Sequence, residues 1–157
     1  MSIQLTFSIP IQDPYFANWK KDTEPNDYEG NEDYAVIFAT GDPSGEWNDV
    51  DNRERTTLCW QKKPLESTTV KICEEGWEKH SVGGEDYCFQ IVGQYSSDQG
   101  KAVCQEKDAT LPLPTSSAQN EDLRLLMRDV FGLGWIVIGV TDEGSRFFIF
   151  RLRVILT

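Results

Sequence analysis

The sequence predicts a mixed α+β fold, because short strand patterns occur together with two helical patterns along 157 residues. The run Tyr34-Ala35-Val36-Ile37-Phe38 is β-branched and aromatic, which is typical of a strand. Between residues 117 and 130, apolar side chains fall at helical spacing and form a single stripe. The apolar run from Trp135 to Val140 predicts a buried strand.

The residues before position 61 are expected to form strands and long loops. After the strand at 34–38, the run from Gly41 to Gly45 is rich in turn residues, and Thr56 to Trp60 predicts a second short strand. The stretch from Trp19 to Asp33 is polar and acidic and has no periodicity. A loop of that length is usually functional or disordered.

Two helices are expected in the remainder of the chain. The first runs from Ser97 to Lys107, with Ala102, Val103 and Cys104 facing inward. The second runs from Ser117 to Val130, with Ser116 or Ser117 as its N-cap. Its apolar stripe consists of Leu123, Leu126, Met127 and Val130. The apolar and arginine-containing run from 147 to 157 receives no assignment.

Composition limits the class of protein. The hydrophobic content of 39% is enough for a core, and the length suits one domain or parts of two. The formal net charge of −11 disfavours nucleic acid and anionic membranes as partners, and it suits a surface that collects cations. No apolar run is long enough for a membrane helix, so no membrane insertion is expected.

Cysteine usage points to an oxidising compartment. The four cysteines permit two disulfides. Residues 1–11 show no basic start and no small-residue cleavage site, so we expect no signal peptide there and interpret the chain as a fragment or an incomplete gene model. Two segments, residues 1–61 and 71–157, meet at a polar, proline-containing linker over residues 62–70.

Oxygen donors are concentrated in the first segment. Glu24-Pro25-Asn26, then Glu32, then Trp47-Asn48-Asp49 supply three carboxylates and two amides, and Ca²⁺ takes about six to eight oxygen ligands. Bringing the carboxylates together without a cation would cost free energy, so the alternatives are a metal site or a solvated acidic loop. A cis peptide at Glu24-Pro25, which X-Pro chemistry permits, would turn both flanking side chains toward one point.

These motifs, together with Trp19-Lys20-Lys21 and Leu58-Cys59, resemble the carboxy-terminal half of a C-type lectin domain of the mannose-binding kind. The resemblance implies a long calcium-binding loop and small antiparallel sheets. It implies that calcium, and through it a sugar, is bound by these side chains together with the backbone carbonyl of Asp49: Glu24, Asn26, Glu32, Asn48 and Asp49. Glu-Pro-Asn implies mannose, N-acetylglucosamine or fucose.

The resemblance also implies an auxiliary calcium site. Asp27, Asp33 and Asp142 stand where the family places its ligands, and Glu32 would bridge the two ions. Arg146 occupies a place where the family has a glutamate. A cation at that position works against a second metal, so exposed acids near a turn are the alternative interpretation.

The second segment resembles the amino-terminal half of the same domain type, so the halves stand in inverted order. The resemblance rests on four runs of residues: Cys73-Glu74-Glu75-Gly76-Trp77, Tyr87-Cys88-Phe89, Ala102-Val103-Cys104 and Ala109-Thr110-Leu111. The family implies disulfides Cys73–Cys88 and Cys59–Cys104. The two positions of the family's third disulfide are Tyr34 and Asn52, so both of its cysteines are absent here.

Two arrangements follow from the inverted order. The chain is either a slice through a tandem array of lectin domains, or its halves dock on each other as a circular permutant. Exchange between two chains is a further arrangement. The first two differ in the cysteines, because only docked halves bring Cys59 and Cys104 of one chain together.

The expected function is calcium-dependent carbohydrate binding. The partners would be glycans or glycoproteins, with clustering of copies for avidity and a secreted, extracellular role of the kind found in innate immunity. The alternatives are a lectin-like protein-interaction module without sugar binding, and an ice-binding or structural relative.

We expect no enzyme. No Ser-His-Asp or Cys-His set can be assembled, and His80 is expected to be solvated. Glu24 and Glu32 could be imagined as a glycosidase pair, but they sit among amides in a metal-like cluster, and no acid of raised pKa in an apolar wall is evident. The tryptophans Trp19, Trp47, Trp77 and Trp135 are expected to be core residues, with Trp47 beneath the cation loop.

Overall fold

The computed structural model describes residues 16–41, 45–62, 73–142 and 147–149. Within these ranges the fold is α+β, with two helices and two small antiparallel sheets. The elements are a 3₁₀ turn (Tyr28–Gly30), β1 (Tyr34–Phe38), β2 (Trp47–Val50), β3 (Arg55–Lys62), β4 (Glu78–Val82), β5 (Glu85–Tyr95), α1 (Ser97–Glu106), α2 (Ser117–Asp129), β6 (Trp135–Asp142) and β7 (Phe147–Ile149).

Five predicted elements are present with nearly the expected bounds, namely β1, β3, β6 and both helices. The sequence interpretation missed β2, β4 and β5, and β7 lies in the run from 147 to 157 that received no assignment. Strand β4 has the composition Glu-Lys-His-Ser-Val, which carries no apolar alternation, so only the Gly83-Gly84 turn that follows it signals a hairpin. Ser116 caps α2 by accepting a hydrogen bond from the backbone N–H of Gln119.

Both sheets combine strands from the two segments. One sheet has the order β2-β1-β6-β7 and the other has the order β3-β5-β4. Strand β1 pairs with β6, placing Ile37 opposite Ile136, and β3 pairs with β5, placing Trp60 opposite Phe89. The described strands before residue 62 therefore obtain their backbone partners largely from strands after residue 73. The predicted linker at 62–70 and its boundaries lie almost entirely outside the described residues.

The main core lies between α2 and the sheets. Leu123, Leu126 and Met127 of α2 are buried as predicted, and they join a cluster that includes Trp47, Phe89 and Ile138. The prediction for Val130 is wrong, because its side chain is 51% exposed. The helix ends at Asp129, so Val130 is the C-cap and leaves the apolar face.

The inward face of α1 also differs from the prediction. Ala102 is exposed and Val103 is only partly buried, while Ser97, Gly100 and Cys104 are buried. The buried positions follow i, i+3 and i+7 spacing. Gly100 lies so close to β3 that a Cβ atom there would be 2.7 Å from Thr57 Oγ1. The helix therefore turns its small residues toward the sheet, which a pattern based on hydrophobicity alone cannot indicate.

Both implied disulfides are present. Cys59–Cys104 links β3 to α1 across the two segments, and Cys73–Cys88 links the second segment to its own strand β5. At the positions of the absent third bridge, Tyr34 begins β1. Asn52 forms a hydrogen bond to the Asp98 carboxylate through its amide, with 3.0 Å between Nδ2 and Oδ2. Two disulfides in one small chain are typical of an oxidising compartment.

The tryptophans behave differently from one another. Trp47 is 1% exposed, as predicted, whereas Trp135 is 41% exposed and is not a core residue. The Arg55 guanidinium lies over the Trp135 ring, 5.5 Å from its centroid, and covers part of it. Among the residues that the structure describes, no helix is long and apolar enough to cross a membrane.

Candidate cation site

The acidic loop is docked against strand β2. The Trp47 backbone N–H donates to the Asn18 carbonyl at 2.8 Å, and the Lys20 N–H donates to the Trp47 carbonyl at 2.9 Å. The Glu24 N–H in turn donates to the Lys20 carbonyl at 3.0 Å. This ladder brings the Glu24-Pro25-Asn26 motif next to the Asn48-Asp49 motif, although more than twenty positions separate them in the sequence.

The Glu24-Pro25 peptide bond is cis, which the sequence permitted. The Asn26 side-chain amide donates to the Glu24 carboxylate, so the two residues flanking the proline face each other. Glu24 is partly buried and Asn26 is exposed. Both therefore stay accessible to an ion or ligand that arrives from solvent.

The loop between the two motifs is organised by carboxylates and backbone N–H groups. Asp49 Oδ2 accepts from the Asp27 N–H at 2.6 Å, and Glu32 Oε2 accepts from the Tyr28 N–H at 2.9 Å. Asp27 Oδ1 accepts from the Glu32 N–H at 3.2 Å. Asp27 and Glu29 have positive φ angles of 47° and 61°, so the loop folds back tightly around these carboxylates.

Asp49 is the most unusual side chain of the loop region. It is 0% exposed, and its Oδ1 atom has no hydrogen-bond donor among the described residues. Glu24 lies within hydrogen-bonding reach of Asp49, but two carboxylates can share a hydrogen bond only when one of them keeps a proton. A buried carboxylate oxygen without a donor is costly, so this atom requires a proton, a water or a cation.

The Asp49 backbone carbonyl, which the resemblance implied as a ligand, accepts a hydrogen bond from Asn48 Nδ2 at 2.7 Å. The Asn48 side chain and this carbonyl therefore lie together on the same side of β2. Strand alternation then separates Asn48 from the buried Asp49 carboxylate.

Two carboxyl groups of the loop, those of Glu24 and Glu32, have raised pKa values. Partial burial, together with hydrogen bonding and repulsion from Asp49, raises the pKa of Glu24 to about 7. Burial also raises the pKa of Glu32, with repulsion from Asp49, Asp51 and Asp27 in the same direction. The sequence showed no acid in an apolar wall, and it therefore did not indicate these raised pKa values. Burial in the folded loop is their main cause and repulsion from neighbouring carboxylates adds to it, and single-residue patterns show neither.

Asp51 was not predicted as a site residue, yet repulsion from its charge contributes to the raised pKa of Glu32. Hydrogen bonding to Arg55, at 2.7 Å between Asp51 Oδ1 and the guanidinium, lowers the pKa of Asp51. The signal in the sequence was a second acidic residue two positions after Asp49, separated from the Trp-Asn-Asp run by Val50 alone. Asn120 was missed as well: it is a buried amide on the core-facing side of α2, hydrogen-bonded to Trp47.

The predicted ligands differ in how closely they meet. Contacts or charge interactions connect Glu24 with Asn26, Asp49 and Glu32. In the described part of the chain, however, no three His, Cys, Asp or Glu side chains are gathered closely enough to hold a metal ion. Of the auxiliary set, Asp27 is engaged with Glu32, Asp33 is exposed, and the Asp142 side chain lies outside the described residues, as do Glu143 and Arg146.

His80 stands on strand β4, where the sequence favoured a solvated side chain over a ligand. Its side chain is 25% exposed, and its Nε2 lies 3.3 Å from the Glu78 carboxylate, so it is partly solvated. Its ring packs against Phe131 and Phe89, with ring centroids 5.6 and 6.0 Å apart. A depression of about 380 Å³ beside it is lined by Ser81, Asp122, Leu125, Leu126, Asp129 and Val130. His80 is thus in large part a packing residue.

Comparison with known proteins adds no relative. No family model matches the chain, and neither a curated protein nor a solved structure is significantly similar to it.

Proposed function

We propose that this chain binds carbohydrates in a calcium-dependent manner. The ligand set would be Glu24, Asn26, Glu32, Asn48 and Asp49, and the sugars would be mannose, N-acetylglucosamine or fucose, as the lectin resemblance implies. The observation that carries the proposal is the buried Asp49 carboxylate. Its Oδ1 has no donor within the part of the chain that the structure describes, while Glu24 lies beside it with a pKa raised to about 7.

The chemistry of these donors fits a hard divalent cation. All five side chains offer oxygen, which is what Ca²⁺ prefers. Burial, with repulsion from nearby carboxylates adding to it, raises the pKa values of Glu24 and Glu32, and a cation would offset that repulsion. Because no three acidic side chains are gathered in the described residues, binding would require the Glu24 and Glu32 carboxylates to draw closer to Asp49.

The protein groups would act on the sugar by hydrogen bonding. Bound calcium would supply open coordination positions for two adjacent hydroxyl groups. The Glu24 and Glu32 carboxylates would accept hydrogen bonds from those hydroxyls, while the Asn26 and Asn48 amides would donate to them. Such charge-assisted hydrogen bonds are among the stronger ones, yet a single exposed site should bind only on the order of millimolar. Glycans or glycoproteins presented in clusters, outside the cell, would be the natural partners.

Calorimetry tests the ion first. Titration of the oxidised protein with CaCl₂ should show uptake that Glu24→Gln weakens at least about tenfold, since a ligand charge is lost. Glu29→Gln is the matched control, because Glu29 is an exposed acid of the same loop that bonds to none of the proposed ligands. The absence of uptake by the unsubstituted protein at millimolar calcium would contradict the proposal.

Affinity chromatography then tests the sugar. The protein should be retained on mannose-agarose with calcium and released by a chelator. The double variant Glu24→Gln with Asn26→Asp should shift its preference toward galactose, as the family pattern implies. Calcium uptake without retention on any sugar would instead favour the alternative of a lectin-like protein-interaction module.

A further inference from the structure

A buried polar contact joins helix α2 to the strand that carries two of the proposed ligands. The Trp47 indole Nε1–H donates to Asn120 Oδ1 at 2.8 Å, and Asn120 Nδ2 donates to the Gly45 carbonyl at 2.8 Å. Asn120 is 5% exposed and Trp47 is 1% exposed. Because the indole can only donate, the orientation of the Asn120 amide is determined by its two partners.

The same two partners are held from the loop side. The Asn18 side-chain amide donates to the Gly45 carbonyl at 2.6 Å. The backbone carbonyl of Asn18 accepts from the backbone N–H of Trp47 at 2.8 Å. Phe16 and Trp19 pack edge-on against the Trp47 ring, each with a centroid distance of 5.7 Å. Trp47 is thus enclosed by aromatic rings, and Asn120 supplies the only hydrogen bond recorded to its indole in the described residues.

Space around Gly45 shows how closely α2 approaches. A Cβ atom at Gly45 would lie 3.5 Å from Asn120 Nδ2 and 3.1 Å from Arg124 Cδ. Arg124 also donates to the Ala39 carbonyl at 3.3 Å. The start of β2 is therefore fastened to the helix, and not only to its neighbouring strand.

Trp47 and Asp49 are linked through strand β2. The two residues are two apart on β2, so their side chains lie on the same buried face. Trp47 pairs with Ile37 and Asp49 pairs with Ala35, which keeps both in one register on β1. Contacts that hold the Trp47 side chain therefore act on the same short strand that carries Asn48 and Asp49.

We infer that Asn120 is a positioning residue for the candidate cation site, an inference that rests on the proposed calcium binding. Asn120 touches none of the proposed ligands. It acts through Trp47, holding β2 so that the Asp49 carboxylate stays beside Glu24. Helix α2, from the second segment, thereby controls a site made entirely of residues from the first.

The test compares two neighbouring polar residues of α2. Asn120→Ala should weaken calcium binding about tenfold, in the range found when groups that orient metal ligands are removed. Gln119→Ala is the control, because Gln119 is also buried and hydrogen-bonded, but to Thr115 and Tyr87 on the other side of the helix. Calorimetry is done on folded protein, with folding checked by circular dichroism, so that global stability does not enter the dissociation constant.

Each outcome decides the question. Weakened binding in Asn120→Ala, with wild-type affinity in Gln119→Ala, supports the inference. Unchanged affinity in Asn120→Ala, or equal weakening in both variants, overturns it while calcium binding by the unsubstituted protein stands. If Asn120→Ala does not fold, Trp47→Phe decides, since it keeps a ring but removes the indole N–H; unchanged affinity there overturns the inference. No calcium uptake by the unsubstituted protein would overturn the proposed function and this inference with it.

Discussion

Asp49 is an acidic residue whose side chain is fully buried and only partly hydrogen-bonded within the described residues. Its Oδ2 accepts a hydrogen bond from the Asp27 N–H, while its Oδ1 is buried next to Glu24 and has no donor among the residues with described positions. Burial of a polar atom without a hydrogen-bond partner is unfavourable, so the residue works against the stability of the cation-free protein. A side chain of this kind is more easily explained by a ligand than by folding.

Substitution of Asp49 should separate stability from binding. Asp49→Asn replaces the carboxylate with a neutral amide, and the amide NH₂ can donate a hydrogen bond toward the Glu24 carboxylate. We expect the free energy of unfolding without calcium to rise by about 1–3 kcal/mol, the usual value of a buried unsatisfied group, while calcium uptake is lost. Chemical denaturation and calorimetry measure the two effects, and Glu29→Gln should alter neither. A less stable Asp49→Asn protein would contradict this account.

Tyr87 gives a pH-dependent signal far from the acidic loop. Burial, together with a 3.0 Å hydrogen bond to Glu85 and repulsion from its charge, raises the pKa of Tyr87 to about 12. The unfolded chain loses this proton near its ordinary pKa of about 10. The contribution of Tyr87 to the free energy of unfolding should therefore fall as the pH rises from about 10 to about 12.

Absorbance at 295 nm provides the measurement, because tyrosinate absorbs there. A tyrosine step should appear near pH 12, and Tyr87→Phe should remove it. The absence of a step near pH 12 in the folded protein would show that Tyr87 is not held in this environment.

At the scale of elements, helix α1 and strand β3 are fitted to each other by small residues. Gly100 faces Thr57, and Cys104 forms the disulfide to Cys59 on the same strand. The close approach explains why α1 buries a glycine and a serine in place of large apolar side chains. Helix α1 is therefore positioned by steric fit and a covalent bond more than by a hydrophobic stripe.

Gly100→Ala should destabilise the protein although alanine is the better helix former. The new Cβ would be 2.7 Å from Thr57 Oγ1 and 3.0 Å from its Cγ2, so overpacking by about 1–3 kcal/mol should exceed the gain of about 1 kcal/mol from helix propensity. Chemical denaturation measures the difference. Adding Thr57→Ala should recover much of it, and the exposed Ala102→Gly should show the propensity effect alone.

For the molecule as a whole, the two segments depend on each other. Strands β1 and β3 find partners in β6 and β5, and Cys59 is bonded to Cys104. The candidate site belongs to the first segment, but its Trp47 packs in a core completed by α2. Function at the loop should therefore require the second segment.

Cleavage between the segments tests this arrangement. A protease recognition sequence is placed between Lys63 and Val70, and the cut protein is run on a denaturing gel. We expect one band without reductant and two bands with it, because the Cys59–Cys104 disulfide joins the two pieces. A Cys59→Ser, Cys104→Ser variant is the control and should give two bands in either case. Two bands from the parent without reductant would show that the segments are not linked as described, as expected for a slice of two separate domains.

Local patterns were sufficient for much of this protein. The β-branched run at 34–38, the serine cap before α2 and the apolar stripe from Leu123 to Met127 predicted their elements, since neighbouring residues alone decide them. The carboxylates and amides of the loop could likewise be named in advance as oxygen donors. The resemblance to C-type lectins additionally implied both cysteine pairs.

Only the tertiary structure decided which segments meet. The pairing of β1 with β6, the exposure of Trp135, the inward face at Gly100 and the contact between Asn120 and Trp47 all join residues distant in sequence. Burial and hydrogen bonding depend on what lies opposite a residue, and one-dimensional periodicity does not contain that information. The closeness of Glu24 and Asp49 also joins residues distant in sequence. Both acidic residues can be read from the sequence, but they repel each other only after the loop folds onto β2.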